Sequence, residues 1–297
     1  MRIAVYGKSP EREEDRDYIV LLFDCLLKKY DNILVWKRFY DAIKPFLSQT
    51  NAIKTFSNKE ELKQNTDILL SLGGDGTMLE TVDYIIETDI AVLGVNLGHL
   101  GFLTSARRED IKHLVTTLSQ NKFSIEKRPI LQVHYDFEDK KKHFAVNEAC
   151  FLSSNRGNLI DLDLYVNDNF MASVAGDGVI ISTSTGSTAY NMSAGGPIVT
   201  PDSQCICITP IAPHNLTFRP VILSDKDIIK VHIPNTDNPC KMLVDGNSVF
   251  ERTNGDIIIS KSSYFWKLVR IEKQNFFKAI RDKLMWGTTP YYLSGNK

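Results

Sequence analysis

Residues 66–72 restrict the fold of this chain more than any other segment. They read Thr-Asp-Ile-Leu-Leu-Ser-Leu, and the glycine-rich turn Gly73–Thr77 follows without a break. A compact apolar run of this length is typical of a strand that is buried on both faces of a parallel sheet. Because strand and helix patterns alternate through residues 2–105, the sequence predicts a doubly wound α/β domain with its loops at the carboxyl ends of the strands.

The second part of the chain has a different pattern. Beyond about residue 125 apolar residues recur with a period of two, and Asn167-Asp168-Asn169 separates two such runs, which is a strong hairpin signal. The predicted fold class is therefore α/β plus all-β. We expect an α/β domain over residues 1–123, a mostly antiparallel β domain over residues 124–272, and a C-terminal helix and tail over residues 273–297 that packs back on the first domain.

Composition narrows the class of protein. The 297 residues carry a formal net charge of −1, so no global basic field would attract nucleic acid or an anionic membrane. The amino terminus shows no leader pattern and the longest apolar tract is too short and polar to span a bilayer, which predicts a cytoplasmic protein. Five cysteines without a Cys-x-x-Cys pair predict buried free thiols, and the histidine spacing argues against a metal site made by protein ligands alone.

The turn Gly73–Thr77 is the first candidate for chemistry. Its glycines let the backbone take positive φ and approach a ligand, and the N–H groups that lead into the next helix form a cradle for phosphate. A carboxylate in such a cradle, here Asp75, could orient a hydroxyl group, accept its proton or help to hold a metal ion. The structural alternative is a tight turn in which Asp75 caps the helix. Leu79 and the lack of a lysine argue against the two standard nucleotide-binding loops.

Two further segments are candidates for binding. Residues 177–197 combine an apolar strand, many hydroxyl side chains and a short helix that Ser187 or Thr188 could cap, which suits a flat heteroaromatic ring or, alternatively, a purely structural capped helix. Asn147-Glu148 is polar within the apolar strand predicted over residues 144–152. A buried unpaired carboxylate is unfavourable, so this pair suggests a polar ligand such as a ribose diol, with a strand-edge pair as the alternative.

These segments resemble, in order, those of the NAD kinase family in its bacterial form. The resemblance covers roughly residues 66–250. The Gly-Gly-Asp-Gly-Thr turn alone is shared with phosphofructokinases and lipid kinases. The hydroxyl-rich segment is the part that distinguishes the NAD kinase family from these kinases. The matching stretches are 73–77, 96–103, Asn147-Glu148, 185–190 through 195–197, and 213–220.

The resemblance implies transfer of the γ-phosphoryl group of ATP to the 2′-hydroxyl of the adenosine ribose of NAD. It makes Asp75 the proton acceptor and implies Mg²⁺ or a similar divalent ion, held mostly by nucleotide phosphates. It also implies a homodimer or homotetramer, in which Asp177 and Ala212 reach a dinucleotide bound mainly by a neighbouring subunit. The other implied substrate- and nucleotide-binding residues are Gly74, Gly76, Asn147, Glu148, Thr188, Ala189, Tyr190, Asn191, Ser193 and Asn247.

Alternatives remain at this point. A lipid or sugar kinase could share the glycine turn, and a non-catalytic dinucleotide sensor could share the pocket. Ser184 stands where the family often has proline, and Ala175-Gly176 where some members have a basic residue. Together with Asn247, where some relatives have glutamine, these departures leave the choice between NAD and NADH open. The phosphoryl donor, ATP or another triphosphate or polyphosphate, is open as well.

Overall fold

The computed structural model describes residues 1–10, 12–97, 101–135, 142–155, 157–235, 237–271 and 276–287. The chain divides into two compact units. The first unit comprises residues 1–126 and 267–297, and the second comprises residues 127–266. His99 and most of the charged hairpin tip predicted over residues 138–142 lie outside the described residues.

The first unit alternates strands and helices as predicted. Its strands are β1 Ile3–Gly7, β2 Ile33–Trp36, β3 Ile53–Phe56, β4 Ile68–Leu72, β5 Ala91–Asn96 and the short β6 Ala106–Arg107. Its helices are α1 Glu13–Leu27, α2 Lys37–Ile43, α3 Lys59–Asn65, α4 Asp75–Glu80, α5 Val82–Ile85 and α6 Ile111–Ser119. The strands form a parallel sheet in the order β3-β2-β1-β4-β5.

The core of the first unit follows from the sequence pattern. Every residue of β4 is buried, so the strand predicted from residues 66–72 is confirmed. Helix α1 buries one apolar face, including Ile19, Leu22 and Phe23, in the same cluster as the strands. Its first turn carries three acidic residues, where the helix dipole stabilises negative charge.

The second unit is built almost entirely of strands. Strand β7, Ser124–Tyr135, leads into it. The next elements are β8 His143–Ala145, β9 Glu148–Ser153, β10 Ile160–Val166, β11 Asn169–Gly176, β12 Gly178–Thr183, α7 Tyr190–Ser193, β13 Cys205–Ile211, β14 Val221–Ser224, β15 Ile229–Ile233, β16 Cys240–Val244 and β17 Asn247–Arg252. An antiparallel six-stranded sheet has the order β14-β13-β12-β9-β16-β17. Buried aliphatic side chains fill the core of this unit.

The chain ends with a long strand, β18 Gly255–Arg270, and helix α8 Phe276–Leu284. The early residues of β18 pair with β15 in the second unit. Its last residues belong to the first unit, where Leu268 pairs in parallel with Val92 of β5. The predicted C-terminal helix is therefore confirmed, and its residues belong to the first unit.

Several details differ from the sequence-based expectation. The strand predicted over residues 144–152 is wrong, because β8 ends at Ala145 and β9 begins at Glu148 in a different sheet. The two strands predicted near residues 257–259 and 265–271 are one continuous strand, β18. The hairpin at Asn167-Asp168 is confirmed, with φ of 49° and 64° at the two turn residues.

The five cysteines are free thiols, as predicted, although Cys25 and Cys205 are only half-buried. Within the described residues, no helix combines the length and the apolar character that crossing a bilayer requires.

Candidate functional site

Asp75 lies where β4 gives way to helix α4. It is the first residue of α4, and the residue before it, Gly74, provides no side-chain cap. The Asp75 carboxylate instead accepts backbone N–H groups from a loop almost thirty residues further along. Its Oδ2 atom lies 2.7 Å from the nitrogen of Phe102, and its Oδ1 atom lies 3.1 Å from that of Leu103 and 3.4 Å from that of Thr104. The alternative in which Asp75 merely caps its own helix is therefore wrong.

The loop that surrounds Asp75 is fixed from its other side. The Arg270 guanidinium is buried, and it donates to the Leu103 carbonyl at 3.1 Å and to the Ser105 hydroxyl at 2.8 Å. Arg270 also forms an ion pair with Glu126 at 2.5 Å. The strand β18 thus anchors the loop through a buried cation, and this keeps the N–H groups directed at Asp75.

Helix α8 adds a second cation near this loop. The Lys283 ammonium donates to the Gly101 carbonyl and lies 4.2 Å from the centre of the Phe102 ring. Burial lowers the pKa of Lys283, whereas the negative charge of Asp75 raises it. The loop therefore contacts residues from three elements of the first unit.

The two glycines beside Asp75 leave free space. A Cβ atom added to Gly74 or to Gly76 would find no heavy atom within 4 Å, and both residues are exposed. Only Gly73 has positive φ, 148°, so the expectation that the flanking glycines adopt positive φ is wrong for Gly74 at −87°. Because Gly74 and Gly76 have no side chain, a ligand can approach the backbone here. It can also reach the first N–H groups of α4, which have no partner within the helix.

In the second unit, Asn147 lies in the bend between β8 and β9, and Glu148 is the first residue of β9. Both are buried, at 9% and 6% exposure, as the polar pair in an apolar segment predicted. Glu148 Oε2 has no hydrogen-bond partner within the described residues, and no hydrogen bond of the Asn147 side chain occurs there either. Two polar side chains without internal partners are available for a polar ligand.

The surroundings of Glu148 favour the protonated form of its carboxyl group and raise its pKa. Burial, together with the negative charge of Asp245, raises the pKa of Glu148 to about 8. A protonated carboxyl can donate one hydrogen bond and accept others. A ligand with hydroxyl groups can use both capacities, and hydrogen bonds to its oxygen atoms would replace the missing partner of Glu148.

Some side chains of the hydroxyl-rich segment are used in hydrogen bonds within the fold. Ser184 donates to the Pro201 carbonyl at 3.0 Å, and Ser187 donates to the Val199 carbonyl at 3.1 Å. Helix α7 has no side-chain cap, so the cap predicted from Ser187 or Thr188 is wrong. These hydroxyls fold the segment rather than cap its helix.

Asn191 also has an internal role. It is fully buried, its amide donates to the carbonyls of Ser187 and Pro197, and it accepts a hydrogen bond of 2.6 Å from Thr209. Its side chain holds the segment together, which differs from the direct nucleotide contact that the resemblance implied.

The remaining predicted residues are more accessible. Tyr190 and Ser193 are exposed, while Thr188 and Ala189 are half-buried. Burial raises the pKa of Tyr190, and Cys150, Asp177 and Glu148 raise it further, so these acidic groups lie near the Tyr190 phenol.

Asp177 and Ala212 are neighbours at the end of one strand pair. The Asp177 N–H donates to the Ile211 carbonyl at 3.0 Å, and Ala212 has a positive φ of 42°. Asn247 is exposed at the start of β17. The second unit therefore brings Glu148, Tyr190 and Asp177 near one another, with Ala212 beside Asp177.

Sequence reasoning missed three residues that support these groups: Arg270, Lys283 and Asp245. Arg270 and Lys283 lie in a strand and a helix whose patterns show only apolar spacing. Asp245 belongs to an Asp-Gly pair, which is a hairpin signal between two strands. That signal could have located the turn, but not the contacts of its side chain.

The fold and these groups define a phosphotransferase that combines a parallel α/β unit, which carries a Gly-Gly-Asp-Gly-Thr turn, with an antiparallel β unit, which carries a buried Asn-Glu pair. Models of the ATP-NAD kinase N-terminal domain and the ATP-NAD kinase C-terminal domain match residues 35–123 and 146–271. The chain belongs to the NAD kinase family.

Individual relatives agree with this assignment. The chain is 33% identical to the NAD kinase of Christiangramia forsetii over 97% of this chain and 98% of the relative, and 32% identical to that of Flavobacterium psychrophilum with the same coverage. Among solved structures, yeast NADH kinase complexed with NADH is similar with a TM-score of 0.88 and 27% identity, over 97% of this chain and 89% of that one. An NAD kinase from Archaeoglobus fulgidus in complex with ATP has a TM-score of 0.73 and 26% identity, over 96% and 99% of the two chains.

Proposed function

We propose that the protein transfers the γ-phosphoryl group of ATP to the 2′-hydroxyl of the adenosine ribose of NAD, which gives NADP. The observation that carries this proposal is the Asp75 carboxylate, which is held by three backbone N–H groups beside two glycines with open space around them. Phosphoryl transfer depends on positioning and charge stabilisation more than on covalent chemistry, and this arrangement supplies both.

Asp75 accepts the proton of the attacking hydroxyl. A carboxylate offers about four lone-pair sites, and the N–H groups of Phe102, Leu103 and Thr104 occupy three of them. The remaining site is free for the hydroxyl of the acceptor. The N–H groups also fix the orientation of the carboxylate, so the hydroxyl meets a preorganised base.

Residues of the second unit bind the acceptor. Asn147 and Glu148 hydrogen-bond ribose and adenine groups, because their side chains are buried and have polar atoms to satisfy. The group that lines the adenine consists of Thr188, Ala189, Tyr190 and Ser193. Asp177, Ala212 and Asn247 contact further polar parts of a dinucleotide, and Asn191 supports them from within the fold.

A divalent ion such as Mg²⁺ is the proposed cofactor. When bound, it would supply positive charge that neutralises the nucleotide phosphates. No group of three His, Cys, Asp or Glu side chains within the described residues could hold a metal ion by itself. The ion would therefore take most of its ligands from the nucleotide phosphates and water. Asp75, in the glycine turn, is the carboxylate that could help to hold it.

A homodimer or homotetramer in the cytoplasm is the proposed working form. Asp177 is exposed and lies next to the exposed Ala212, so both are accessible to a dinucleotide held by another subunit. Native mass measurement, combined with activity across a dilution series, tests this proposal. A monomer with full activity would contradict it.

Incubation of the purified protein with ATP, Mg²⁺ and NAD tests the function directly. We expect NADP to accumulate, as measured by an NADP-specific dehydrogenase assay. Tight NAD binding without NADP formation would instead identify a dinucleotide sensor, and phosphorylation of a lipid or sugar without NADP would identify another kinase.

NADH is a second candidate acceptor. The specific observation in its favour is the similarity to yeast NADH kinase, with a TM-score of 0.88. The same assay with NADH in place of NAD measures the ratio of kcat/KM for the two dinucleotides, and this ratio decides which of them is the preferred acceptor.

A further inference from the structure

The Asp245 side chain reaches the bend that carries Asn147 and Glu148. Asp245 lies in the two-residue turn Asp245-Gly246 between β16 and β17. Its Oδ2 atom lies 2.8 Å from the nitrogen of Val146, and its Oδ1 atom lies 2.8 Å from that of Asn147 and 3.0 Å from that of Glu148. One carboxylate thus accepts three consecutive backbone N–H groups that are almost a hundred residues away in sequence.

The backbone of this bend is satisfied completely by two residues. Asp245 accepts the three N–H groups, and its own N–H donates to the Glu148 carbonyl at 3.0 Å. The Val146 carbonyl accepts from the Thr183 hydroxyl at 2.6 Å, and the Asn147 carbonyl accepts from the Thr183 N–H at 2.9 Å. All six backbone groups of residues 146–148 therefore have partners, although only Glu148 belongs to a strand.

A carboxylate is not needed for the turn itself. Asp245 has φ of 45° and Gly246 has φ of 81°, values that suit an Asn-Gly turn as well as an Asp-Gly turn. Asparagine, however, has a single acceptor oxygen, and its NH₂ group would face a backbone N–H. The negative charge also comes close enough to Glu148 to add to the effect of burial on its pKa.

We propose that Asp245 is a positioning residue for the acceptor: its carboxylate holds the bend 146–148 so that the Asn147 and Glu148 side chains present their polar atoms to the dinucleotide. This inference rests on the proposed function. It goes further in assigning the orientation of the pair to a residue that itself touches no substrate.

Asp245→Asn is the first test, because asparagine keeps the positive φ and the size of the side chain. Loss of charge-assisted hydrogen bonds at the bend should raise KM for NAD by about 10- to 100-fold, since each such bond contributes roughly a factor of ten. KM for ATP should stay within about twofold of the wild-type value, because the proposal assigns the bend to binding of the dinucleotide and not of ATP. Should Asp245→Asn not fold, Asp245→Gly also suits the positive φ and is judged by the same criterion.

Asp227→Asn is the matched control. Asp227 also lies in a turn of the second unit, and it accepts the Ser224 N–H at 3.0 Å and the Asn167 amide at 2.7 Å. We expect a similar decrease in melting temperature for both variants, with no change in KM for NAD in the control. An equal KM for NAD in Asp245→Asn and the wild type would overturn the inference.

A double-mutant cycle with Glu148→Gln separates positioning from a general loss of structure. If Asp245 acts through the bend, its substitution should raise KM for NAD less in the Glu148→Gln background than in the wild type. Strictly multiplicative effects would contradict the inference. If the wild-type protein forms no NADP at all, the proposed function fails first, and calorimetric titration with NAD then applies the same cycle to the dissociation constant.

Discussion

At the scale of single residues, two carboxylates each accept hydrogen bonds from three consecutive backbone N–H groups. Asp75 accepts N–H groups from residues 102–104, and Asp245 accepts them from residues 146–148. In each case a charged side chain orders a stretch that is irregular, apart from Glu148 at the start of β9. The glycines next to both carboxylates, Gly74 and Gly76 beside Asp75 and Gly246 beside Asp245, have open space around them.

Asp75→Asn should lower kcat by about 10²- to 10⁴-fold, because an amide cannot accept the proton of the attacking hydroxyl. The same change weakens the charged hydrogen bonds to the loop and should reduce the free energy of unfolding by about 1–3 kcal/mol. Asp67→Asn, which removes a carboxylate that accepts the Arg2 N–H at 2.7 Å, is the control and should leave kcat unchanged. Steady-state kinetics and thermal melts check both expectations, and near-native turnover of Asp75→Asn would show that Asp75 is not the base.

Glu148→Gln should change how stability depends on pH. Because the pKa of Glu148 is raised in the folded protein to about 8, its stabilising effect is complete below the ordinary carboxyl pKa and is lost as the pH rises through about 8. Glutamine cannot ionise, so the variant lacks this decline. The groups that face Glu148, namely Asp245, Cys150 and Tyr190, are the same in both proteins.

Urea unfolding at about pH 5.5 and about pH 8.5 measures this effect. The stability of Glu148→Gln relative to the wild type should increase by about 1 to 4 kcal/mol between the two pH values. Parallel pH curves for the two proteins would mean that Glu148 ionises normally.

At the scale of elements, the end of β18 supports the loop around Asp75. Arg270 is only 4% exposed, and it connects Glu126, Leu103 and Ser105. The Ser105 hydroxyl in turn donates to the Val269 carbonyl at 2.9 Å. A strand that enters the sheet beside β5 therefore also sets the position of the loop around Asp75.

Arg270→Met should destabilise the protein by about 3–5 kcal/mol, because it removes one partner of a buried ion pair and leaves carbonyl groups unsatisfied. Arg2→Met is the matched control. The Arg2 side chain is 55% exposed in its pair with Asp67, so its loss should change stability far less than the loss of Arg270. Urea unfolding of both variants tests the contrast, and equal losses would contradict the anchoring role of Arg270.

At the scale of the whole molecule, each unit has its own group of candidate residues. The first unit has the glycine turn and Asp75, and the second unit has the buried Asn147-Glu148 pair and the hydroxyl-rich segment. Within the described residues neither unit has a cluster of ligands for a metal ion, so metal binding is expected to depend on the nucleotide.

Chelation should therefore separate activity from stability. We expect EDTA to abolish NADP formation, added Mg²⁺ to restore it, and the melting temperature of the nucleotide-free protein to stay unchanged. A decrease in melting temperature on chelation would reveal a structural metal that the proposal does not include.

Local residue patterns were sufficient to predict the type of fold and to single out the candidate residues. Apolar runs and periods depend on local residue spacing, so the buried strand before Gly73, the Asn167-Asp168 hairpin and the C-terminal helix could be predicted. The polar pair Asn147-Glu148 was recognisable because polar residues in an apolar segment need a partner. Asp75 stood out as a carboxylate in a turn suited to anions.

The contacts that hold these residues in place could be identified only in the folded chain. The partners of Asp75 are 27 to 29 residues away, and those of Asp245 are 97 to 99 residues away. Hydrogen bonds from backbone N–H groups leave no trace in side-chain patterns, because every residue except proline carries the same donor. The break at residues 146–147 was missed for the same reason: its backbone is satisfied by Asp245 and Thr183, and neither is near in sequence.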